Sequence, residues 1–288
     1  MPVIQWFPGH MAKARRILQE NAPLVDVVLE IVDARCPLAS RNPDLMALVA
    51  HKPQVLVLNK ADLADPAATR LWVQRLSEPG RPAVALDAVR GTGAKEVLAA
   101  IRRAFAPVLQ AWTAKGRKPR PARVMAVGIP NVGKSSVINR LIGARRAAVG
   151  DKPGVTRGKQ WIRIGADVEL LDMPGILVPK FENPLDGILL AATGAIKDEV
   201  FDPREVAGHL LHLTWESLKP AIQERYGLTR LDPEAAVNLE AIGRFRGLLR
   251  AGEQVDLDAA AQLVLKEFRE GRLGRVTLQW PEPAPSGE

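Results

Sequence analysis

A lysine and a serine close a glycine-bounded turn at Gly128-Ile129-Pro130-Asn131-Val132-Gly133-Lys134-Ser135. The pattern G-x-x-x-x-G-K-[ST] cradles phosphate when a strand precedes it and a helix follows. Both conditions are met: the apolar run Arg123 to Val127 lies before it, and helical spacing from Ser135 to Ile142 lies after it. Glycines let backbone N–H groups close around an anion, and the helix N-terminus favours negative charge. Lys134 would neutralise β- and γ-phosphates and Ser135 would ligate Mg²⁺, with Val132, Gly133 and Ser136 completing the phosphate contacts.

A second constellation, Asn59-Lys60-Ala61-Asp62, sits just past the apolar run Gln54 to Leu58. A carboxylate accepts two hydrogen bonds only from a base edge that offers two donors. Guanine offers N1–H and its 2-amino group, whereas adenine would leave the charge unpaired. Asp62 is therefore the expected base reader, with the Lys60 stem over the base plane and Asn59 bracing the loops. Asp87-Ala88, after the run Ala83 to Leu86, could present the Ala88 N–H to guanine O6. Further on, Asp172-Met173-Pro174-Gly175 follows a strand-like run. Asp172 suits an outer-sphere Mg²⁺ role and the Gly175 N–H a γ-phosphate contact. Thr156 lies between the two phosphate motifs, where a switch threonine would reach Mg²⁺ and the γ-phosphate.

The base-reading residues thus precede the phosphate-reading residues, the reverse of the order in most GTPases. A parallel sheet tolerates this, because each strand end can keep its place while the chain enters elsewhere. Three Val/Ile/Leu-rich runs (Val25 to Val32, Gln54 to Leu58, Arg123 to Val127) and the shorter Ala83 to Leu86 read as buried parallel strands. Helical stretches Pro43 to Ala50, Ala67 to Leu76 and Ala94 to Leu109 alternate with them. The expected fold is α/β, a doubly wound, mostly parallel sheet of the Ras-like P-loop kind, circularly permuted. Trp161 to Ile164 and Val168 to Leu171 read as a hairpin. Beyond Pro184 helical periodicity takes over: Asp232-Pro233 opens one helix, and Asp256 caps another that Gly271 stops. The expected division is a nucleotide domain over 1–182, an all-helical domain over 183–280 and a disordered tail over 281–288.

Charge divides the same way. The first 182 residues hold 28 basic and 15 acidic side chains, net +13, whereas residues 183–288 hold 12 and 17, net −5. Such concentration points to a polyanion partner, nucleic acid above all. Candidate contacts are Lys13, Arg15 and Arg16; Lys115 to Arg123; Arg145 and Arg146; Arg157, Lys159 and Arg163. Arg244, Arg246 and Arg250 read as a further cluster on one helix, and Lys266, Arg269 and Arg272 as one on the next. Cys36 is the one cysteine, which excludes an internal disulfide and fits a reducing compartment. With no apolar run long enough to span a bilayer and no secretory signal pattern at the start, a cytoplasmic protein without a membrane anchor is expected.

With this motif order, the chain closely resembles the bacterial ribosome biogenesis GTPase A family (also called YlqF), a branch of the permuted GTPases. The resemblance rests on Trp6-Phe7-Pro8-Gly9-His10-Met11, on Asp33-Ala34-Arg35-Cys36-Pro37 followed by Asn42-Pro43, and on the loop Gly128 to Ser136. It implies GTP binding and hydrolysis to GDP in late maturation of the large ribosomal subunit, with the precursor subunit and its rRNA as partners; a monomer is expected. Ile176 stands where many GTPases carry a water-orienting glutamine. The resemblance implies that His10 supplies the missing catalytic function. It also implies that Asn131 ligates K⁺ near the β- and γ-phosphates. The residues alone leave open a non-enzymatic RNA-binding scaffold with a structural nucleotide, an ordinary signalling GTPase, and ATP specificity.

Overall fold

The computed structural model describes residues 9–149, 161–172 and 183–281, without the side chains of 9–14, Leu45, 144–149 and Asp172. Six strands form one sheet: β1 (Val27–Asp33), β2 (Gln54–Asn59), β3 (Ala83–Leu86), β4 (Ala122–Val127), β5 (Trp161–Ile164) and β6 (Val168–Asp172). Their order across the sheet is β3-β2-β1-β4-β6-β5. Only β5 and β6 pair antiparallel, as the expected hairpin. β1, β2, β3, β4 and β6 are parallel, so their carboxyl ends share one edge.

Both faces of the sheet are covered, which is why the central strands read as continuous apolar runs. Every residue of β1 and β2 is buried. Successive side chains alternate between faces: Val55 and Val57 enter one core, Leu56 and Leu58 another. Helices α1 (Gly9–Asn21), α2 (Pro43–Leu48) and α3 (Pro66–Leu76) contribute Leu18, Met46 and Trp72 to the cores of one face. On the other lie α4 (Ala94–Ala114) and α5 (Lys134–Val149), through Val97, Ile101, Val137 and Leu141. α4 must carry the chain from edge strand β3 past β2 and β1 to β4. At 21 residues it is ~31 Å long, against roughly 14 Å of lateral travel over three strand spacings. That crossover is where the permuted order is accommodated.

Four helices follow: α6 (Pro184–Ala192), α7 (Pro203–Tyr226), α8 (Ala235–Phe245) and α9 (Leu257–Arg269). Their starts are locally encoded. Asn183, Asp202 and Asp256 accept from the N–H of Leu185, Arg204 and Ala259 at 2.9, 2.8 and 3.0 Å, satisfying amides that a helix leaves unpaired. α8 begins later than Asp232-Pro233 suggests. Asp232 instead receives the Glu234 N–H at 2.9 Å, and Asn238 braces that turn from inside the helix. α8 also stops at Phe245, because Gly247 adopts φ 68° and the Leu248 N–H reaches back to Gly243 O at 2.8 Å. Arg246 and Arg250 therefore lie beyond it.

The apolar core of the α4/α5 face runs on without a break into these helices, through Leu189, Ile196, Leu210, Tyr226, Ile242 and Phe268. Among the described residues, no helix is long and apolar enough to cross a membrane.

Candidate functional site

The loops that should carry the chemistry all leave the sheet at its shared carboxyl edge. The phosphate loop follows β4, Asn59-Lys60-Ala61-Asp62 follows β2, Asp87-Ala88 follows β3, and β6 ends at Asp172. One further loop, Asp33-Ala34-Arg35, follows β1 between them. Ligand crevices of open parallel sheets lie at this kind of edge.

Asn59 closes the gap between the base-reading and phosphate-reading halves. Its Nδ2 donates to Val132 O at 2.8 Å, across 73 residues of sequence, with the donor buried. The turn permits this approach because Gly133 has no side chain: a Cβ there would stand 2.4 Å from Asn59 Nδ2. Gly128 is equally constrained, its missing Cβ falling 2.4 Å from Ile31 O. Gly133 takes φ 89° and Asn131 φ 59°, conformations a phosphate-cradling turn requires and few side chains tolerate. Lys134 opens α5, with Nζ 3.4 Å from Ile129 O, and Ser135 and Ser136 are exposed in its first turn. The dipole and free amides of that turn favour an anion.

Lys60 takes φ 60°, and its ammonium lies 3.0 Å from Asp33 Oδ2. Asp33 is the hub of a buried charge chain that sequence reading noted only as part of a family pattern. Arg35, 1 % exposed, grips it through Nε at 2.9 Å and Nη2 at 2.8 Å. The Arg35 guanidinium also stacks 5.0 Å from the Phe268 ring centre of α9. Burial alone would raise the Asp33 carboxyl, but the Arg35 and Lys60 charges outweigh it and hold that group well below the usual carboxylate range. Burial pushes the neighbouring Cys36 thiol up to about 12, so it stays protonated and inert.

Asp62 is half-buried beside this chain, flanked by Ala61, whose N–H donates to Leu86 O at 3.2 Å. That bond joins the base-reading loop to the end of β3. Asp87 is buried and caps its own loop, accepting from Val89 N at 2.9 Å and Arg90 N at 2.8 Å. Ala88 O accepts from Arg140 Nε of α5 at 2.7 Å, so the third base-side loop is tied to the phosphate-side helix. Asn131 donates from Nδ2 to Gly194 O, beyond α6, at 2.7 Å.

Several expectations fall outside what is described. Thr156 and Gly175 lie outside the described residues, as do Trp6, Phe7, Pro8, Arg157, Lys159, Ile176 and the tail 282–288. His10 stands in the first turn of α1, but its side chain, like those of Asp172, Lys13, Arg145 and Arg146, is outside the description. The backbone does register Asp172 against Ala126, placing the end of β6 beside the strand that feeds the phosphate loop.

The helical-region arginines do not form free basic faces. Arg244 pairs with Glu240 at 2.8 Å, Arg246 with Glu267 at 3.4 Å and Arg250 with Asp256 at 2.8 Å. Arg269 pairs with Asp198 and Arg272 with Glu270, each at 2.7 Å. These charges are largely cancelled at home, by acids on the same segment for Arg244 and Arg272 and on other segments for Arg246, Arg250 and Arg269. A different basic feature survives at the end of α4. Arg117, in the exposed run 115–119, and the half-buried Arg120 stack 4.4 and 4.6 Å from the half-buried Trp112 ring. Arg120 is itself paired with Asp26 at 2.7 Å.

Comparison with known proteins agrees with this arrangement. The family model described as "50S ribosome-binding GTPase" matches residues 123–224. That span starts at β4, so the base-reading loops precede it. Ribosome biogenesis GTPase A of Bacillus cereus is 47% identical, covering 97% of this chain and 95% of that protein. Mitochondrial ribosome-associated GTPase 1 of Mus musculus is 34% identical, covering 96% and 90%. Among solved structures, GDP-bound TM YlqF superposes with a TM-score of 0.68 at 26% identity, covering 93% of this chain and all of that one. GNP-bound YlqF from T. maritima gives 0.65 at 27%, covering 94% and 100%.

If the Asn59 amide is what holds the two half-sites together, Asn59→Ala should weaken GDP binding about tenfold, the worth of one buried hydrogen bond. Fluorescence titration with a labelled GDP analogue measures it. Unaltered affinity would mean that the loops hold their spacing without this bond.

Proposed function

Because the chain belongs to the ribosome biogenesis GTPase A family of circularly permuted GTPases, we propose that the carboxyl-edge crevice binds GTP between residues 59–62 and 128–136 and hydrolyses it during maturation of the large ribosomal subunit. GTP hydrolysis in ribosome assembly is the activity that family membership carries. One observation supports the placement above others: the Asn59–Val132 hydrogen bond sets the base reader beside the phosphate cradle, as a single bound nucleotide requires.

In this reading Asp62 accepts the two donors of guanine, and Lys60, held by Asp33, lays its stem along the base. The Asp87-Ala88 loop meets the far edge of the base. Lys134, with the Val132, Gly133, Ser135 and Ser136 amides, receives the phosphates. Ser135, Thr156 and Asp172 would hold Mg²⁺, which when bound neutralises charge developing on the phosphates. Asn131 would turn its carboxamide oxygen toward K⁺, and Gly175 would meet the γ-phosphate. His10 orients the attacking water in place of a glutamine, after α1's first turn moves toward the phosphates on the ribosome. Residues 1–182 handle nucleotide and 183–280 face the ribosome, in a cytoplasmic monomer. Contact with rRNA of the precursor subunit runs through phosphate and shape. The supporting feature is the half-buried Trp112 with exposed Lys115, Arg117 and Lys118 around it, since the helical-region arginines are paired with acids.

Three measurements test this reading. Multiple-turnover hydrolysis should rise steeply when purified large subunits are added, and His10→Ala should lose about a hundredfold or more of the stimulated rate while nucleotide affinity is kept. A fully active His10→Ala would remove the histidine from the chemistry. Asp62→Asn should shift preference from guanosine to xanthosine nucleotide, and an unshifted preference would sink the base assignment. Turnover should be faster in KCl than in NaCl; equal rates would end the Asn131 role.

A further inference from the structure

The base-reading loop carries a second set of bonds that nucleotide chemistry does not explain. After α9 the chain turns at Gly271 and Gly274, with φ 72° and 107°, and runs back across the nucleotide edge of the sheet. There Arg275 donates from Nη2 to Ala61 O at 2.9 Å and from Nε to Ala64 O at 3.0 Å. The Val276 N–H donates to Leu63 O at 2.9 Å, and Thr277 Oγ1 accepts the Asp65 N–H at 3.1 Å. The same segment then covers the loop after β1. Leu278 N–H donates to Arg35 O at 2.7 Å, and Gln279 Oε1 accepts from Leu38 N and Ala39 N, both at 3.0 Å. Trp72 of α3 fastens the end, its Nε1 donating to Gln279 O at 2.6 Å. Val276 and Thr277 are buried by the contact.

Asp62 sits in the middle of this lacing. The carbonyls of Ala61 and Leu63 on either side of it are both held by the C-terminal segment. Left to itself, a short polar loop loses backbone freedom when it orders on binding a base. A loop already fixed by outside bonds does not meet that cost again, and the saving appears as affinity. Because Arg275 touches only the base side, the saving is confined to base recognition. The phosphate loop has its own tie, through Asn59.

We propose that Arg275 to Gln279 are positioning residues for guanine: they hold Asp62 where it can accept both base donors, so that base specificity depends on the end of the helical region. This rests on Asp62 being the base reader. The linkage is reciprocal, so guanine nucleotide must in turn hold the C-terminal segment against the loop.

The test uses the full chain and two ligands, GDP and inosine diphosphate, which lacks the 2-amino donor. Wild type should bind GDP more tightly than inosine diphosphate. Arg275→Ala should weaken GDP about tenfold and inosine diphosphate much less, so that the ratio narrows. Arg275→Lys, which can restore one bond, should recover part of it. Arg244→Ala, which breaks an exposed pair on α8, should leave the ratio unchanged. If wild type discriminates and Arg275→Ala keeps the full ratio, or weakens both ligands equally, the positioning role is wrong. If wild type shows no preference, the Asp62 reading itself fails first. Hydrogen exchange on wild type decides the matter even if Arg275→Ala does not fold: saturating GDP should slow exchange at Val276 and Leu278, and unchanged exchange would overturn the proposal.

Discussion

Two loops that lie 73 residues apart are held at hydrogen-bond distance by Asn59 and Val132 O, and the site exists only because of that proximity. Parallel strands make it possible. β2 and β4 flank β1, so their carboxyl ends are separated by one strand, roughly 10 Å. A side chain the length of asparagine spans the remainder once the loops lean inward over β1. Glycine at 133 is then obligatory, because any Cβ would occupy the space of the Asn59 amide. The chain order of the motifs is irrelevant to this geometry. What matters is which strand ends are neighbours, and α4 is long enough to deliver β4 to its place from the far edge.

The loop after β1 occupies the narrow space between those two, and it is filled with charge. Placing Asp33 and Arg35 both nearly out of water is expensive unless each finds several partners. Asp33 has the Arg35 fork, the Arg35 N–H at 3.0 Å and the Lys60 ammonium. Arg35 adds the face of Phe268. The arrangement fixes Lys60, a long side chain that would otherwise sample many rotamers at the carboxyl edge. A buried ion pair is weak evidence for stability, but here one of its arms is Lys60 of the loop after β2. The chain of contacts Phe268–Arg35–Asp33–Lys60 begins in α9 and ends at the base-reading loop.

Much of this was readable from residues alone, where the signal was local. Buried strands announced themselves as Val/Ile/Leu runs, and the phosphate and base motifs sat at the expected strand ends. Asp256 and Gly271 marked the limits of α9 because capping chemistry involves residues three or four apart. Signals that depend on distant partners were missed. Arg246 looked like part of a basic helix face because its partner Glu267 is brought to it from α9, whereas the pairing of Arg244 with Glu240 at i,i+4 was a local signal that could have been read. Gly247 did carry the information that α8 ends there. Arg275-Val276-Thr277-Leu278-Gln279 alternates between two glycines and a proline, which is an extended pattern, but its partners at 35–39 and 61–65 lie more than two hundred residues away. Thr156, Gly175 and the side chains of His10 and Asp172 remain readings of the sequence.

The helical region consequently meets the nucleotide crevice at two separate points, and they report different parts of the ligand. Gly194 O accepts from the Asn131 amide of the loop after β4, and Arg269 of α9 pins that turn by donating to Ala191 O at 2.8 Å and Ala192 O at 3.1 Å. The segment after the same helix covers the base side. α9 is therefore common to both, with Phe268 against Arg35 between them. The Gly194 bond uses only the Asn131 Nδ2, so the carboxamide oxygen is not engaged by it, whereas the loop around Asp62 is held on both sides by the C-terminal segment. GTP and GDP share the base and differ at the phosphates. The two contacts of the helical region therefore lie on different loops of the carboxyl edge, and α9 is the element they share.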